Sequence, residues 1–181
     1  MDNFGFKDLI DMRKLRIVGQ LPTSETTPSL LTAKMESLRS GNREIQQGEI
    51  SLAGIRKAHL LKVSAQNEKS KFYVQLAGGF NAQNDWLGQI QKGDFDSLRA
   101  RLVQRQSAAV VYNSAKADLL IGAHCWMSQQ SQLCFDQPIR VSKTRGNISF
   151  LTQNLDLNDF AAFMPEGLAI TGKLNGHAKA V

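Results

Sequence analysis

Cys125 and Cys134 are the chain's only two cysteines, one in each arm of the stretch 118–136, DLLIGAHCWMSQQSQLCFD. A disulfide, a metal site and a reactive thiolate are all open to such a pair, and the spacing decides among them. The stretch reads as a strand, a polar turn and a strand. With Gln129-Gln130 as a two-residue turn, the opposing pairs are Ser128/Ser131, Met127/Gln132, Trp126/Leu133 and Cys125/Cys134. Counting outward, hydrogen-bonded and non-hydrogen-bonded pairs alternate, and the cysteines fall on a non-hydrogen-bonded pair. Cα atoms of such a pair approach to about 4.5 Å, within disulfide reach. A bridge is therefore expected, and with it an oxidising compartment. The alternative is two reduced, buried thiols acting as small hydrophobes.

The other chemistries fail on geometry. Adjacent strand residues point to opposite faces, so His124 cannot join the two sulfurs at a zinc ion or activate Cys125 as a nucleophile. A thiol-disulfide enzyme needs a low-pKa thiolate at a helix terminus, and both cysteines are expected in mid-strand. His59 lies on an apolar strand face and His177 on a polar one, as a core and a surface histidine would. Asp94 and Asp96 bracket Phe95 in GDFDS and are expected to make local turn hydrogen bonds. Trp86 and Trp126 are expected in the core. The chain contains no Gly-rich phosphate loop, HExxH or paired CxxC. Gly78-Gly79 sits inside a strand pattern, where a bulge or close approach is expected. No catalytic residue, metal ligand or cofactor is assigned.

Most elements that position these residues alternate with period two. Residues 15–21, LRIVGQL, form one such strand, followed by a Pro-bounded loop. Over 28–40 the spacing of Leu31, Met35 and Leu38 predicts a short helix, with Pro28 in its first turn and Gly41 as terminator. From Ile45 to Arg105 the period of two is sustained. Leu61 and Val63 share a face with His59, and Val74 and Leu76 with Phe72. Ala117, Leu119, Ile121, Ala123 and Cys125 are read as one face of the central hairpin, with His124 and Trp126 on the other. Asn158 is placed to cap a helical turn, DFAAFM. Leu168, Ile170, Leu174 and Ala178 recur on one face of a last strand, with Gly172 and Gly176 leaving room among them. Short strands joined by polar turns imply a mainly β, antiparallel architecture with one or two short helices. The chain divides into an N-terminal part, 1–47, and a strand region, 48–181.

The chain has 181 residues, 22 Lys and Arg against 16 Asp and Glu, and a net charge of +6. Such a balance favours acidic partners, but the bases are dispersed, which weakens a nucleic-acid footprint. No apolar run is long enough to cross a bilayer, and residues 1–14 have no signal-peptide character.

At AHCWMSQQSQLC the chain resembles the TamB family, the inner-membrane-anchored subunit of the translocation and assembly module of the Gram-negative envelope. GEISLAG, AHLLKV, VQLAGGF and DWLGQI carry the likeness upstream, and LNDFAAFMPEGLAITGKLNGHAKA carries it downstream. It covers nearly everything from about Gly48 to Val181, with looser LRIVGQL-type strand patterns before it. Phe95 stands where the family pattern has tryptophan. The resemblance implies an internal or truncated segment of a longer periplasmic protein whose membrane anchor lies outside it. It also implies a long sheet curled into an open apolar groove, a non-enzymatic role in outer-membrane protein assembly and secretion, and phospholipid transport between the two membranes. The implied partners are the module's outer-membrane barrel subunit and phospholipid acyl chains, and no nucleic acid. Groove candidates are Leu61, Val63, Val74, Leu76, Leu168, Ile170, Leu174 and Ala178. The alternative is a closed, basic β-sandwich that binds nucleic acid or an acidic protein, since one-sided apolar strands must bury that side.

Overall fold

The structure is a computed structural model and describes residues 11–22, 24–40, 43–97, 101–158 and 171–180. Its strands are β1 Asp11–Gln20, β2 Ser29–Ser40, β3 Arg43–Ile45, β4 Gln47–Ile55, β5 Ala58–Gln66, β6 Ser70–Phe80, β7 Trp86–Ser97 and β8 Arg101–Gln104. They continue as β9 Ala108–Asn113, β10 Asp118–Ile121, β11 His124–Met127, β12 Gln132–Phe135, β13 Ile139–Val141, β14 Gly146–Asp156 and β15 Lys173–Ala180. All fifteen of these belong to one sheet, and its pairings are antiparallel. The described residues thus form one continuous antiparallel sheet.

The helix expected over 28–40 is not formed; that segment is strand β2. Leu31, Ala33 and Met35 pair with Leu52, Ile50 and Gly48. The helical stripe is broken because Leu38 falls on the opposite face from Leu31 and Met35. Ser40 opposes Arg43, so β2 and β3 pair as a hairpin where a helix was expected to end at Gly41. A Gly-Asn dipeptide between alternating runs is itself a hairpin signal, and it outweighs an ambiguous apolar spacing. The helical turn expected at DFAAFM lies outside the described residues.

GDFDS is likewise not a turn. Asp94 and Asp96 sit within β7, opposite Tyr73 and Lys71, and the Arg101 guanidinium pairs with Asp94 from the next strand. The turn expected at AQNEKSK is formed, with Asn67 Oδ1 accepting from the backbone N–H of Lys69 (2.9 Å) and Ser70 (2.7 Å).

A seam of interruptions crosses the sheet from β7 to β14. Gln91 is an extra residue in β7, because Gln75 pairs with Lys92 while Leu76 pairs with Ile90. Beside it the run 101–113 breaks between β8 and β9, the run 118–127 between β10 and β11, and the run 132–141 between β12 and β13. Gly122 N–H donates to Ala109 O (2.7 Å) and Arg105 N–H to Cys125 O (3.1 Å) across the seam. The Gln104 amide adds Nε2 bonds to Gln106 O (2.7 Å) and Ile90 O (3.4 Å). Aligned bulges bend and twist a sheet locally.

The bend has a packing consequence. Phe95, Leu102 and Leu155 form one buried cluster, backed by Phe72, Trp126, Leu133 and Leu174. Leu155 on β14 is three strand spacings from Leu102 on β8, roughly 14 Å in a flat sheet. Their packing requires the sheet to curl over this face. A second cluster, Ile90, Ala108 and Val110, lies on the same face with Val74, Leu76, Trp86, Leu119 and Ile121 against it.

Candidate functional site

The candidate site is the face that carries both clusters. Cross-strand pairing writes it as continuous apolar rows: Leu31–Leu52–Leu61–Leu76–Ile90, and Ala33–Ile50–Val63–Val74. Of the eight groove candidates, the structure brings Leu61, Val63, Val74 and Leu76 together as neighbouring half-buried residues of these rows. Leu174 packs separately against the Phe95 cluster. Ala178 is exposed on β15 and joins neither cluster. Leu168 and Ile170 lie outside the described residues. A Cβ added at Gly172 or Gly176 would meet nothing within 4 Å, so there is room beside both. Both also hold positive φ (116° and 152°), so backbone conformation as well as space selects glycine there.

Burial changes along this face. Ile90, Phe95, Leu102 and Val110 are buried, whereas Leu15, Ile17 and Ile50 remain about half exposed or more (50%, 60% and 48%). Among the described residues nothing covers the apolar rows of β1, β2 and β4.

Both tryptophans lie on this face above glycines. A Cβ on Gly78 or on its partner Gly88 would stand 2.6 Å from the Trp86 ring, and one on Gly93 would stand 2.3 Å from the Trp126 ring. The close approach expected at Gly78 is therefore that of an indole. Trp86 Nε1–H donates to His59 Nε2 (2.8 Å), which leaves His59 Nδ1 to donate to Ile55 O (3.3 Å). His59 is a fully engaged structural residue whose role is to fix the indole. Arg56 stacks its guanidinium over Phe80 at the strand end, 5.0 Å from the ring centre.

The cysteine hairpin forms in the expected register, with Ser128 N–H donating to Ser131 O (2.8 Å) and Cys125 opposite Cys134. The two are joined in a disulfide, with Cα atoms 4.0 Å apart. Closing so short a loop contributes about 2–3 kcal/mol. One expectation about its faces is corrected. The break at Gly122-Ala123 shifts the alternation, so Leu119 and Ile121 share the apolar face with Trp126. Cys125 points to the opposite face. His124 is buried, donates Nδ1–H to Gly122 O (2.8 Å) and packs on Phe135, 4.8 Å between ring centres.

The opposite, outer face is largely polar and carries cross-strand ion pairs. They include Lys34–Glu49 (3.2 Å), Lys14–Glu36 (2.7 Å) and Arg140–Asp118 (2.6 Å). Exposed pairs of this kind contribute little to stability, since solvent screens them. The same face holds a serine, histidine and aspartate that sequence reasoning missed. Ser149 Oγ–H donates to Asp136 Oδ1 (2.8 Å) and lies 2.8 Å from His177 Nε2, which is 3.4 Å from Asp136 Oδ2. These are hydrolase residue types, but the carboxylate holds the hydroxyl proton and meets the same ring nitrogen as the serine. A catalytic triad needs the carboxylate on the other nitrogen. Ser149 is also fully buried. The trio is a clamp tying β15 to β14 and the end of β12. Its members are far apart in the chain and carry no local motif, so only the register reveals it.

The Ser149 hydroxyl, more than the His177 ring, holds the Asp136 carboxyl below its ordinary value of 3.8. A folded pKa below the unfolded one gives stability that is present above the ordinary value and is lost as pH falls through the folded value. Thermal unfolding followed from neutral pH down through the carboxylate range should therefore show a shallower acid limb for Asp136→Asn than for the unaltered chain. Identical acid limbs would remove the clamp from the stability of the fold.

Among the described residues no group of three His, Cys, Asp or Glu is arranged to hold a metal ion, and no helix is long and apolar enough to cross a membrane. No solved structure matches the chain. A family model described as TamB, N-terminal domain, matches residues 1–181. The chain belongs to the TamB family. The match covers the residues upstream of Gly48 as well, where the likeness rested only on looser strand patterns such as LRIVGQL. Membership in the TamB family carries an envelope setting in Gram-negative bacteria and, in general terms, a translocation and assembly module partnership.

Proposed function

We propose that this chain is a non-enzymatic, periplasmic segment of an inner-membrane-anchored translocation and assembly module subunit, and that it shelters lipid acyl chains on its apolar face. In that role it supports phospholipid transport between the inner and outer membranes and outer-membrane protein assembly and secretion, alongside an outer-membrane barrel subunit. The observation that carries the reading is the continuous apolar row system on one sheet, left uncovered at β1, β2 and β4 among the described residues. An acyl chain laid along these rows gains about 0.8 kcal/mol per buried methylene. Family membership supports the setting and the partner.

Photo-crosslinking in the envelope tests the proposal. Val63 and Val74 oppose each other on the apolar face, and Ser64 and Tyr73 oppose each other on the outer face. Crosslinkers at Val63 and Val74 are expected to label phospholipid, and those at Ser64 and Tyr73 to leave it unlabelled. Equal labelling from both pairs would exclude the apolar face as the lipid path.

A further inference from the structure

The outer face is not polar throughout. Where β2, β4, β5, β6 and β7 approach their turns, Leu30, Ala53, Leu60, Ala77 and Leu87 make an apolar stripe on the side opposite the proposed lipid path. Leu30 pairs with Ala53, Ala53 with Leu60, and Leu60 with Ala77. Leu30 is 59% exposed and Leu87 46%. Side chains this apolar on the polar side of a half-solvated sheet are not explained by the fold.

Bases border the stripe on both sides. One residue pair inward along the strands, Lys62 and Lys92 stand on either side of Gln75, each in register with it. Both lysines are exposed, and neither has a carboxylate within ion-pair distance among the described residues. At the turn end Lys57 stands 3.4 Å from Glu25, which also faces Arg56 (3.8 Å), whose guanidinium is stacked on Phe80 of the other face. Asp85, the other acid at this end, accepts from the Ser114 backbone N–H (2.9 Å). The ion-paired acids Glu49 and Asp94 lie one step further in. The stripe is thus an apolar band bordered by Lys62, Lys92 and Lys57, with the acids Glu25 and Asp85 at the turn end.

We propose that this stripe is a docking surface for an anionic membrane leaflet. Leu30, Leu60 and Leu87 would enter the boundary between headgroups and acyl chains. Lys62, Lys92 and Lys57 would extend their long stems past the apolar band to place their charges at the lipid phosphates. An acidic protein could satisfy the same bases, but the small residues Ala53 and Ala77 between exposed Leu30 and Leu87 and half-buried Leu60 suit a deformable surface that needs no matched side chains.

Co-sedimentation of the purified full chain with vesicles tests the proposal. Binding to vesicles of phosphatidylcholine with phosphatidylglycerol should be at least about tenfold tighter than to phosphatidylcholine alone, and should weaken with salt. The double variant Lys62→Glu/Lys92→Glu should lose that preference. Leu30→Ser/Leu87→Ser, at exposed positions that spare the fold, should weaken binding to the anionic vesicles. Leu61→Arg, on the opposite face, should leave docking intact. Equal binding to both vesicle types would overturn the proposal, as would docking lost in Leu61→Arg but retained in the leucine variant. Displacement by soluble polyglutamate as effective as by anionic vesicles would overturn it in favour of an acidic protein partner.

Discussion

Leu61→Arg should leave the sheet folded and reduce lipid passage through the full-length protein by roughly fifty-fold. Leu61 lies mid-row between Leu52 and Leu76 and is half-buried, outside both tightly packed clusters. A guanidinium there can turn toward solvent, so the cost to folding is small. The cost to an acyl chain is not. An unpaired charge in an apolar path recruits water, and each methylene kept from contact forfeits about 0.8 kcal/mol. Clearing three methylenes raises the local free energy by about 2.4 kcal/mol, which sets the expected factor. Ser64→Arg, on the outer face of the same strand, should transport normally. Labelled-phospholipid transfer measured for the two variants checks this directly; full activity in Leu61→Arg would set aside a continuous lipid path over β4–β6.

Phe95→Ala is expected to have the largest effect on stability, about 3–5 kcal/mol. Phe95 is 7% exposed and packs with Leu102 and Leu155, the contact through which β14 closes over β7 and β8. Truncation would open a cavity where the curl is held together, and ring contacts with Phe72 and Trp126 would go with it. Ile17→Ala provides the contrast. Ile17 is apolar and on the same face but 60% exposed, so its truncation should stay within about 0.5 kcal/mol. Denaturant midpoints for the two variants compare a residue that holds the sheet's curvature with one that lines its open part. Similar losses would mean that the curl does not depend on this cluster.

What the amino-acid sequence determined by itself is what depends on neighbours close along the chain. The antiparallel hairpin at 124–135, its register and the opposition of Cys125 and Cys134 follow from a two-residue turn and a strict period of two. So does the separation of apolar Leu61, Val63, Val74 and Leu76 from the polar residues between them. Three things were decided only in the tertiary structure. Leu31, Met35 and Leu38 satisfy a helical spacing, and only pairing with β1, β3 and β4 makes 29–40 a strand, because together they offer ladders on both edges and an apolar face. The face to which Cys125 points depends on an interruption at Gly122-Ala123 that matches interruptions in neighbouring strands. A one-residue slip inverts every later side chain, and period-two reasoning carries no signal of it. The convergence of Phe95 with Leu155, and of Ser149 with Asp136 and His177, comes from curvature and register summed over several strands. No local pattern encodes such sums, since each contact joins residues whose separation is set by everything folded between them.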